Sequence, residues 1–285
     1  MILIAESGST KCNWILSDDK GILINKFDTV GFNPYFINSK NITEHLEDSD
    51  LKKYKSRVKY VFFYGAGCSS KEKNNIVEKS LTHFFKNATI KVKHDLDAAC
   101  IAMYNNKPNI TCILGTGSNS CFFDGEKIIK NSPSLGFIIG DEASGNYFGK
   151  NILKLYFNKL LPAELTKKFE KEYDVHWPNI VNNIYDHNKA NVYLAKYFPF
   201  ISKNKKHPII NSLITESLDK FFEIHVICYK NYKNLDVNFV GSVAYFLSDE
   251  IYKTAEKYGC KVVDIIKNPI DKLTGYHLIN DIKPI

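Results

Sequence analysis

The sequence is nearly without arginine. Of its 38 basic residues only Arg57 is an arginine, and the lysines are scattered along the chain rather than arranged in stripes. Proteins that read nucleic acids usually rely on arginine for base edges and for bidentate phosphate contacts. We therefore expect no nucleic-acid partner, although the formal net charge is +7.

Long apolar runs and paired cysteine motifs are missing as well. No stretch approaches the roughly 18 apolar residues that a membrane span needs, and residues 1–4 begin a strand without a charged leader or a cleavage site. The expectation is a cytoplasmic protein with no membrane partner. The seven cysteines form no C-x-x-C pair, which predicts reduced, buried thiols and neither a zinc site nor a disulfide framework.

Two common phosphate-binding motifs are incomplete. Residues 113–120 contain Gly115 and Gly117, but the third glycine of a dinucleotide fingerprint is replaced by Ser120. A G-x-x-x-x-G-K-[ST] loop does not occur. The two glycines nevertheless let backbone N–H groups approach an anion unobstructed by a Cβ. A plain strand–turn–strand hairpin is the alternative interpretation of this loop.

One pattern occurs twice. A strand, a glycine turn, a second strand, a hairpin turn and a third strand occupy residues 2–24, and the same order returns in residues 111–129. Such a repeat predicts two similar domains, each presenting a phosphate loop to a shared cleft. With 285 residues, of which 44% are hydrophobic, the chain is long enough for both domains. The predicted fold class is α/β, with two domains and a cleft between them.

The predicted domain bounds follow from a short polar turn at residues 105–108 and from composition. An N-terminal domain is predicted for residues 1–107, and a C-terminal domain for residues 108–267. The second domain contains a helical, lysine-rich insertion at about 150–233. Residues 268–285 are predicted to form a closing helix and a tail that pack back on the N-terminal domain.

Two polar residues stand where binding-site residues are expected. Asp95 comes after a strand at 89–92 and before a helix at 97–104, and α/β proteins bind ligands at the carboxyl edge of their sheets. The alternative is that Asp95 or Asp97 merely caps the helix. Asn33 precedes a proline in a polar loop and is as consistent with a turn former as with a ligand-binding amide.

Three segments complete the pattern. Residues 29–34 are predicted as a loop, and the acids and small residues of a second loop at 136–145 suit the wall of a site. A helix is predicted to begin near Ala143. A third glycine turn at Gly241 is predicted to open a helix at 245–258.

Together these stretches resemble the actin-like ATPase and sugar kinase superfamily, and within it the N-acetylglucosamine kinases of the BadF/BadG/BcrA/BcrD ATPase family. The stretches that carry the resemblance are residues 7–11, 31–34, 115–119, 136–145, 241–244 and 268–271. The resemblance implies two actin-like (ribonuclease H-like) domains, ATP and Mg²⁺ as cofactors, and an amino sugar as substrate. A homodimer is a further expectation.

The resemblance also implies roles for individual residues. ATP would be bound by Gly8, Ser9, Thr10, Lys11, Gly115, Thr116, Gly117, Gly241 and Ser242. The amino sugar would be bound by Asn33, Gly67, Asn119, Gly140, Asp141 and Ser144. Asp95 falls at the catalytic carboxylate, which accepts the proton of the sugar hydroxyl as it attacks the γ-phosphorus. Glu6 would support Mg²⁺.

The first loop departs from the family pattern. Glu6 stands where the family normally has aspartate, and its extra methylene pushes the carboxylate forward in a site that demands near-ideal octahedral geometry. Cys12 and Asn13 likewise replace the usual threonine and aspartate. Either the site adjusts to the longer side chain, or catalysis is slow.

Three hypotheses about function result. The leading one is a kinase acting on the 6-hydroxyl of N-acetylglucosamine, with N-acetylmuramic acid and glucosamine as related substrates. A second is a sugar- or nucleotide-binding protein with impaired catalysis. The third is an ATP-driven activator of a radical dehydratase, which would need an iron–sulfur cluster near the second loop, where Cys112 and Cys121 lie in predicted strands.

Overall fold

The computed structural model describes residues 1–129, 133–185 and 189–280. The chain divides into two compact units. Unit 1 comprises Met1–Asn105 together with the segment from Asn268 onward, and unit 2 comprises Asn106–Lys267. Residues 281–285 of the predicted tail lie outside the described residues. No helix in the described ranges combines the length and the apolar character needed to cross a membrane.

Unit 1 is built on a five-stranded sheet. Its strands are β1 (Ile2–Ser7), β2 (Lys11–Ser17), β3 (Leu23–Val30), β4 (Tyr60–Gly65) and β5 (Thr89–His94). The order across the sheet is β3-β2-β1-β4-β5; β2 is antiparallel to β1 and β3, whereas β4 and β5 run parallel to β1. The helices, numbered along the chain, are α1 (Ser39–Asp48), α2 (Lys71–Phe84), α3 (Asp95–Met103) and α13 (Ile270–Asn280).

Unit 2 contains a second five-stranded sheet and most of the helices. Its strands are β6 (Asn109–Leu114), β7 (Ser118–Phe123), β8 (Ile128–Ile129), β9 (Asp236–Val240) and β10 (Lys261–Ile266). Its helices are α4 (Gly136–Ile139), α5 (Gly145–Phe157), α6 (Ala163–Glu172), α7 (Trp177–Tyr185), α8 (Ala190–Ala195), α9 (Phe198–Lys203), α10 (Pro208–His225), α11 (Ser242–Phe246) and α12 (Ser248–Tyr258).

The two sheets share one topology. The second sheet has the order β10-β9-β6-β7-β8, with β7 antiparallel to β6 and β8, and with β9 and β10 parallel to β6 and to each other. Its five strands therefore repeat the arrangement of β1–β5 in the same chain order. This repeat confirms the predicted α/β fold built from two similar halves.

The central strand of unit 1 is apolar on both faces because both faces are covered. Leu3 and Ala5 of β1 belong to one core cluster, and Ile2 and Ile4 belong to another on the opposite face. This alternation is the two-residue period of a strand buried on both sides. Sheet pairing then fixes where β1 ends, and with it the position of the glycine loop that follows.

Helix α13 completes the second of these clusters. Ile270 and Leu273 are buried there, and the His277 ring stacks on Phe62 with centroids 3.7 Å apart. The His277 Nε2 lies 2.8 Å from the Tyr64 hydroxyl. The last described helix of the chain is therefore part of the core of unit 1.

Two local predictions were wrong. Thr29 lies in β3 and not in a loop, because it pairs with Cys12 of β2. The helix predicted to follow Gly241 begins directly at Ser242 and is divided into α11 and α12. The helix predicted to begin near Ala143 is confirmed as α5, which begins at Gly145 after its cap Ser144.

Candidate functional site

The parallel strands of unit 1 end at one level. Ser7 of β1 pairs with Gly65 of β4, and Gly65 pairs with His94 of β5. The glycine loop 8–10 follows the first of these strands and Asp95 follows the last. Both therefore lie at the carboxyl edge of the sheet, the edge at which α/β proteins bind ligands.

The first glycine loop is held by backbone hydrogen bonds. The Gly8 N–H donates to the Lys11 carbonyl at 2.9 Å, and the Gly31 N–H donates to the Thr10 carbonyl at 3.1 Å. A Cβ at position 31 would lie 2.2 Å from the Gly8 carbonyl oxygen, so glycine is required there. A Cβ at position 8 would meet its nearest neighbour only at 3.7 Å, which leaves room for a ligand beside this residue.

Asn33 is buried beside the same loop. Its Nδ2 donates to the Ser9 hydroxyl at 2.8 Å, and its Oδ1 accepts from the Tyr35 N–H at 3.0 Å. Gly67 has φ +80°, and a Cβ there would lie 2.2 Å from the Asn33 Oδ1. Asn33 therefore orders its own turn, and it also links two other predicted site residues, Ser9 and Gly67.

Glu6 faces Asn13 across the β1–β2 pairing. The Asn13 Nδ2 donates to the Glu6 Oε2 at 3.4 Å. Burial raises the pKa of Glu6 to about 7; the hydrogen bond from Asn13 opposes this shift, and the charge of Asp95 adds to it. The two carboxyl groups, Glu6 and Asp95, are thus near enough for the charge of one to act on the other.

Asp95 is the first residue of α3, but it is not the cap of that helix. The His94 Nδ1 accepts from the Leu96 N–H at 3.1 Å, and the Asp97 carboxylate accepts from the His94 N–H at 3.2 Å. The Asp95 Oδ1 lies 2.7 Å from the His94 Nδ1. Burial raises the pKa of the neighbouring Cys68 thiol to about 12, and the charge of Asp95 adds to this shift. The cap of α3 is therefore His94, and of the two candidate carboxylates only Asp97 takes part, as the third helical residue of a capping box.

Lys11 lies at the start of β2. Its Nζ is 2.9 Å from the Asp28 Oδ1, and more than half of each side chain is exposed. Exposed ion pairs contribute about 1 kcal/mol or less. Little free energy is therefore lost if the Lys11 ammonium group leaves Asp28 and binds an anionic ligand.

The second glycine loop joins β6 to β7 in unit 2. The Gly115 N–H donates to the Gly117 carbonyl at 2.9 Å. The carbonyls of Gly115 and Thr116 accept from the N–H groups of Gly145 at 2.8 Å and Asn146 at 3.1 Å, at the start of α5. A Cβ at Gly115 would meet nothing within 4 Å, so this side of the loop is open.

Asp141 and Asn146 hold the second loop from one side. The Asn146 Nδ2 donates to the Thr116 carbonyl and to the Asp141 Oδ2, both at 2.7 Å, and the Asp141 Oδ1 accepts from the Ser118 N–H at 3.2 Å. Burial raises the pKa of Asp141, against the hydrogen bonds from Asn146 and Ser118. Asp141 and Ala143 have φ of 58° and 55°, and left-handed non-glycine residues concentrate at functional sites.

Three other predicted sugar-binding residues occupy distinct places in unit 2. Asn119 is partly buried in β7, and its Oδ1 accepts from the Ser120 N–H at 2.9 Å. Gly140 ends α4, with its N–H donating to Gly136. The buried Ser144 caps α5 by accepting from the Tyr147 N–H at 3.2 Å, so its hydroxyl has a structural role.

The third glycine turn contacts the strand that leads into the second loop. Gly241 has φ +125°, and a Cβ there would lie 2.2 Å from the Leu114 carbonyl oxygen. Its N–H donates to the Ile266 carbonyl at 2.9 Å. Ser242 is exposed as the first residue of α11. Gly241 and Gly115 are thereby brought together, as members of one surface of unit 2.

Sequence reasoning missed a chain of partly buried polar side chains in unit 2. The His225 Nε2 lies 3.3 Å from the Glu142 Oε2, and the Ser120 hydroxyl lies 3.5 Å from the His225 Nδ1 and 3.2 Å from the Tyr229 hydroxyl. The hydrogen bond with His225 lowers the pKa of Glu142, against the effect of burial. Glu142 and His225 are 83 residues apart, and no local signal in the sequence connects them.

The predicted Mg²⁺ requires side chains that can bind a metal ion. No group of three or more His, Cys, Asp and Glu side chains that could hold a metal ion occurs in the described part of the chain. Mg²⁺ commonly takes only one or two carboxylates and completes its shell with water and substrate phosphates. Glu6 and Asp95 fit that donor set. Cys112 and Cys121 are buried within β6 and β7.

Comparison with known proteins places this geometry among sugar kinases. No protein-family model matches the chain, and no curated protein matches it. A putative N-acetylglucosamine kinase from Porphyromonas gingivalis is 33% identical, with a TM-score of 0.91, over 98% of this chain and 99% of that chain.

Two more distant structures share the fold. A putative N-acetylglucosamine kinase from Chromobacterium violaceum is 14% identical, with a TM-score of 0.67, over 96% of this chain and 97% of that one. A ROK-family glucokinase from Streptomyces griseus, solved with glucose and AMPPNP, is 13% identical, with a TM-score of 0.58, over 96% of this chain and 97% of that one.

Proposed function

The chain belongs to the actin-like ATPase and sugar kinase superfamily, and from this premise we propose that it transfers the γ-phosphoryl group of ATP to an amino sugar. We propose N-acetylglucosamine as the substrate and its 6-hydroxyl as the acceptor, with N-acetylmuramic acid and glucosamine as related candidates. Within the superfamily its motifs favour the BadF/BadG/BcrA/BcrD family. The observation that carries the proposal is that Asp95, Glu6 and the Ser9–Asn33 contact share one edge of a sheet.

In this proposal Asp95 is the general base. A sugar hydroxyl is a poor nucleophile at neutral pH, so a carboxylate within hydrogen-bond reach accepts its proton while the oxygen attacks the γ-phosphorus. The bond from the γ-phosphorus to the bridging oxygen breaks, and ADP leaves with the electron pair. The proton rests on Asp95, and no covalent enzyme intermediate forms.

The remaining predicted residues bind and orient the two substrates in this proposal. The amino sugar is assigned to Asn33, Gly67, Asn119, Gly140, Asp141 and Ser144. The phosphates of ATP are assigned to loop 8–11 and to loop 115–117, and the nucleoside to Gly241 and Ser242. Open glycine loops offer backbone N–H groups to phosphate oxygens without reorganisation. Mg²⁺ held by Glu6 would supply charge neutralisation at the phosphates.

The decisive experiment is a coupled phosphorylation assay over a panel of hexosamines, with and without Mg²⁺, on the parent chain and on two neighbouring variants. We expect Asp95→Asn to lower turnover by about 10²–10⁴-fold, while ATP binding changes little. Asp97→Asn is the matched control, since position 97 accepts from the N–H of His94, the cap of α3, and keeps an acceptor oxygen in the variant. Parental turnover in Asp95→Asn would show that Asp95 is not the base.

One observation favours a second candidate, a protein that binds sugar or nucleotide with impaired catalysis. Burial raises the pKa of Glu6 to about 7, so a large share of this carboxyl is neutral at physiological pH and a weak Mg²⁺ ligand. Glu6→Asp separates the two candidates. On the kinase hypothesis turnover changes by less than about tenfold, or 1.4 kcal/mol; a gain of several orders of magnitude favours the impaired protein.

A further inference from the structure

The helical part of unit 2 contains a surface groove in which basic side chains predominate. Two adjoining cavities, of about 310 and 470 Å³, share Lys168, Lys203 and Asn204 in their walls. The basic groove, as we call it, is defined by Lys168 and Lys171 of α6 and by Lys203, Lys205, Lys206 and His207 at and after the end of α9. Its volume falls in the range of small-molecule sites.

Part of this positive charge is neutralised within the protein. Lys203 lies 3.0 Å from Glu172. The His207 Nε2 lies 3.0 Å from the Glu164 Oε1, and this contact is an ion pair only when the imidazole is protonated. Lys205 is held in place by Glu250 at 3.1 Å and by the Phe246 carbonyl at 3.3 Å. These contacts fix one wall of the basic groove.

The other part of the charge is not neutralised by ion pairs. In residues 133–185 and 189–280, where the structure describes this region, no salt bridge is formed by Lys168, Lys171 or Lys206. All three are exposed. The groove also lies at the N-terminus of α10, an 18-residue helix that begins at Pro208 with His207 as its cap. The dipole of so long a helix adds positive potential at that end.

The lining narrows the chemistry of the ligand. Phenylalanine, tyrosine and tryptophan, on which nucleic-acid bases stack, are absent from the lining residues of the two cavities, all of which the structure describes. Arginine, the usual reader of base edges, is absent from the lining too. Several lysine side chains that line adjoining small cavities match the oxygens of clustered phosphates. Sequence reasoning could not find this groove, since its lysines come from two separate segments.

We propose that the basic groove binds a compact small molecule carrying clustered phosphate groups, at a site distinct from the glycine loops. A ligand of this kind replaces the missing counter-charge of Lys168, Lys171 and Lys206. In the empty basic groove the uncompensated positive charges repel one another, which is destabilising. Binding of the phosphate ligand therefore stabilises unit 2. Neither the reaction proposed above nor any of its residues is needed for this binding.

The test is calorimetric titration of the full chain with inorganic tripolyphosphate at low ionic strength, with ADP saturating so that the glycine loops are occupied. The groove variant is Lys168→Ala/Lys206→Ala. The matched control, Lys230→Ala/Lys253→Ala, removes the same charge from two exposed lysines of unit 2 outside the groove. We expect the groove variant to bind about tenfold more weakly, or worse, than the parent and the control.

Two further measurements make the outcome decisive. Tripolyphosphate is expected to raise the melting temperature of the parent and of the control, but not of the groove variant, which also reports that the variant is folded. N-acetylglucosamine 6-phosphate, with a single phosphate, is expected to bind more weakly than tripolyphosphate. Equal tripolyphosphate affinity in the variant and the control overturns the proposal, and so does preferential binding of a single-stranded oligonucleotide at the groove. Because the test compares the tripolyphosphate affinities of variants, its result does not depend on whether the protein has kinase activity.

Discussion

Glu6 is a carboxyl group that the fold keeps partly protonated near neutrality. Its pKa of about 7, against an ordinary value of 4.5, results first from burial and then from the charge of Asp95. Between these two pH values the folded chain binds more protons at Glu6 than the unfolded chain does. The free energy of unfolding therefore falls as the pH rises from about 4.5 to about 7, and it is level above that range.

Glu6→Gln is expected to remove this pH dependence. The amide keeps the shape of the side chain and still accepts from Asn13, but it avoids the cost of a buried charge. We expect the variant to match the parent near pH 5 and to be about 1–3 kcal/mol more stable at pH 8. Urea unfolding with a chelator present measures this, with Glu78→Gln, an exposed residue of α2, as the control. Parallel pH profiles for parent and variant would contradict the assignment.

At the scale of elements, two of the glycine turns differ in the space around the glycine. At Gly241 a Cβ would meet the Leu114 carbonyl oxygen at 2.2 Å, and the backbone has φ +125°. At Gly115 a Cβ would meet nothing within 4 Å. Gly241 is therefore required for packing against β6, whereas Gly115 leaves a surface open to a ligand.

Gly241→Ala and Gly115→Ala are accordingly expected to fail in different ways. Gly241→Ala should lower the free energy of unfolding by about 2 kcal/mol or more, because both the contact and the dihedral are incompatible with alanine. Gly115→Ala should leave the melting temperature unchanged and weaken ATP binding about tenfold or more, because its Cβ obstructs the approach of phosphate to the loop.

Gly275→Ala is the control for both glycine variants. Gly275 lies inside α13, and a Cβ there also meets nothing within 4 Å. The substitution is expected to raise the free energy of unfolding by about 0.5–1 kcal/mol through helix propensity alone, without changing ATP binding. Thermal melts and nucleotide titrations give both readouts. A Gly115→Ala variant that melts early, or that binds ATP as the parent does, would refute the open-surface interpretation.

The chain from Glu142 through His225 to Ser120 links α10 to two segments that carry predicted sugar-binding residues. Both side chains are largely buried, with 15% and 14% exposed. Removing His225 leaves the Glu142 carboxylate without this hydrogen-bond partner, and a buried acceptor left unsatisfied costs about 1–3 kcal/mol. We expect His225→Ala to lower the free energy of unfolding by about that amount at pH 7, and Glu142→Gln/His225→Ala to recover part of the loss.

A double-mutant cycle by denaturant unfolding measures the coupling between these two residues. Because the pKa of Glu142 is lowered in the folded state, its contribution is present above the ordinary pKa and is lost as the pH falls through the lowered one. The interaction energy between Glu142 and His225 should therefore decrease at acidic pH. Strictly additive effects at pH 7 would mean that the contact contributes no interaction energy.

The sequence was sufficient for features that repeat or that are local. The strand–turn–strand unit and its second copy predicted the duplicated sheet, and the position of Asp95 after a strand predicted its place at the carboxyl edge. It was insufficient where the partner is distant along the chain. Thr29 extends β3 because of pairing with Cys12, and the bond between Asn13 and Glu6 depends on strand register. No local pattern encodes such pairings.

At the scale of the whole molecule, each described core cluster draws its residues from one unit. Unit 2 is continuous in sequence, whereas unit 1 needs α13 from the end of the chain. Ile270 and Leu273 cover Ile2 and Ile4, and burying two aliphatic side chains contributes about 3–6 kcal/mol. A fragment of residues 106–267 should therefore fold by itself, and a fragment of residues 1–105 should not.

Chain fragments test this asymmetry directly. We expect 106–267 to melt cooperatively, since its core is complete, and 1–105 to lack a cooperative melt because one face of its sheet keeps only α3 as cover. Adding a peptide of residues 268–280 should restore the melt of 1–105, and the same peptide with His277→Ala should do so less well, since it loses the stack on Phe62 and the contact with Tyr64. A cooperative melt of 1–105 alone, unaffected by the peptide, would mean that α13 is dispensable for the core that it covers.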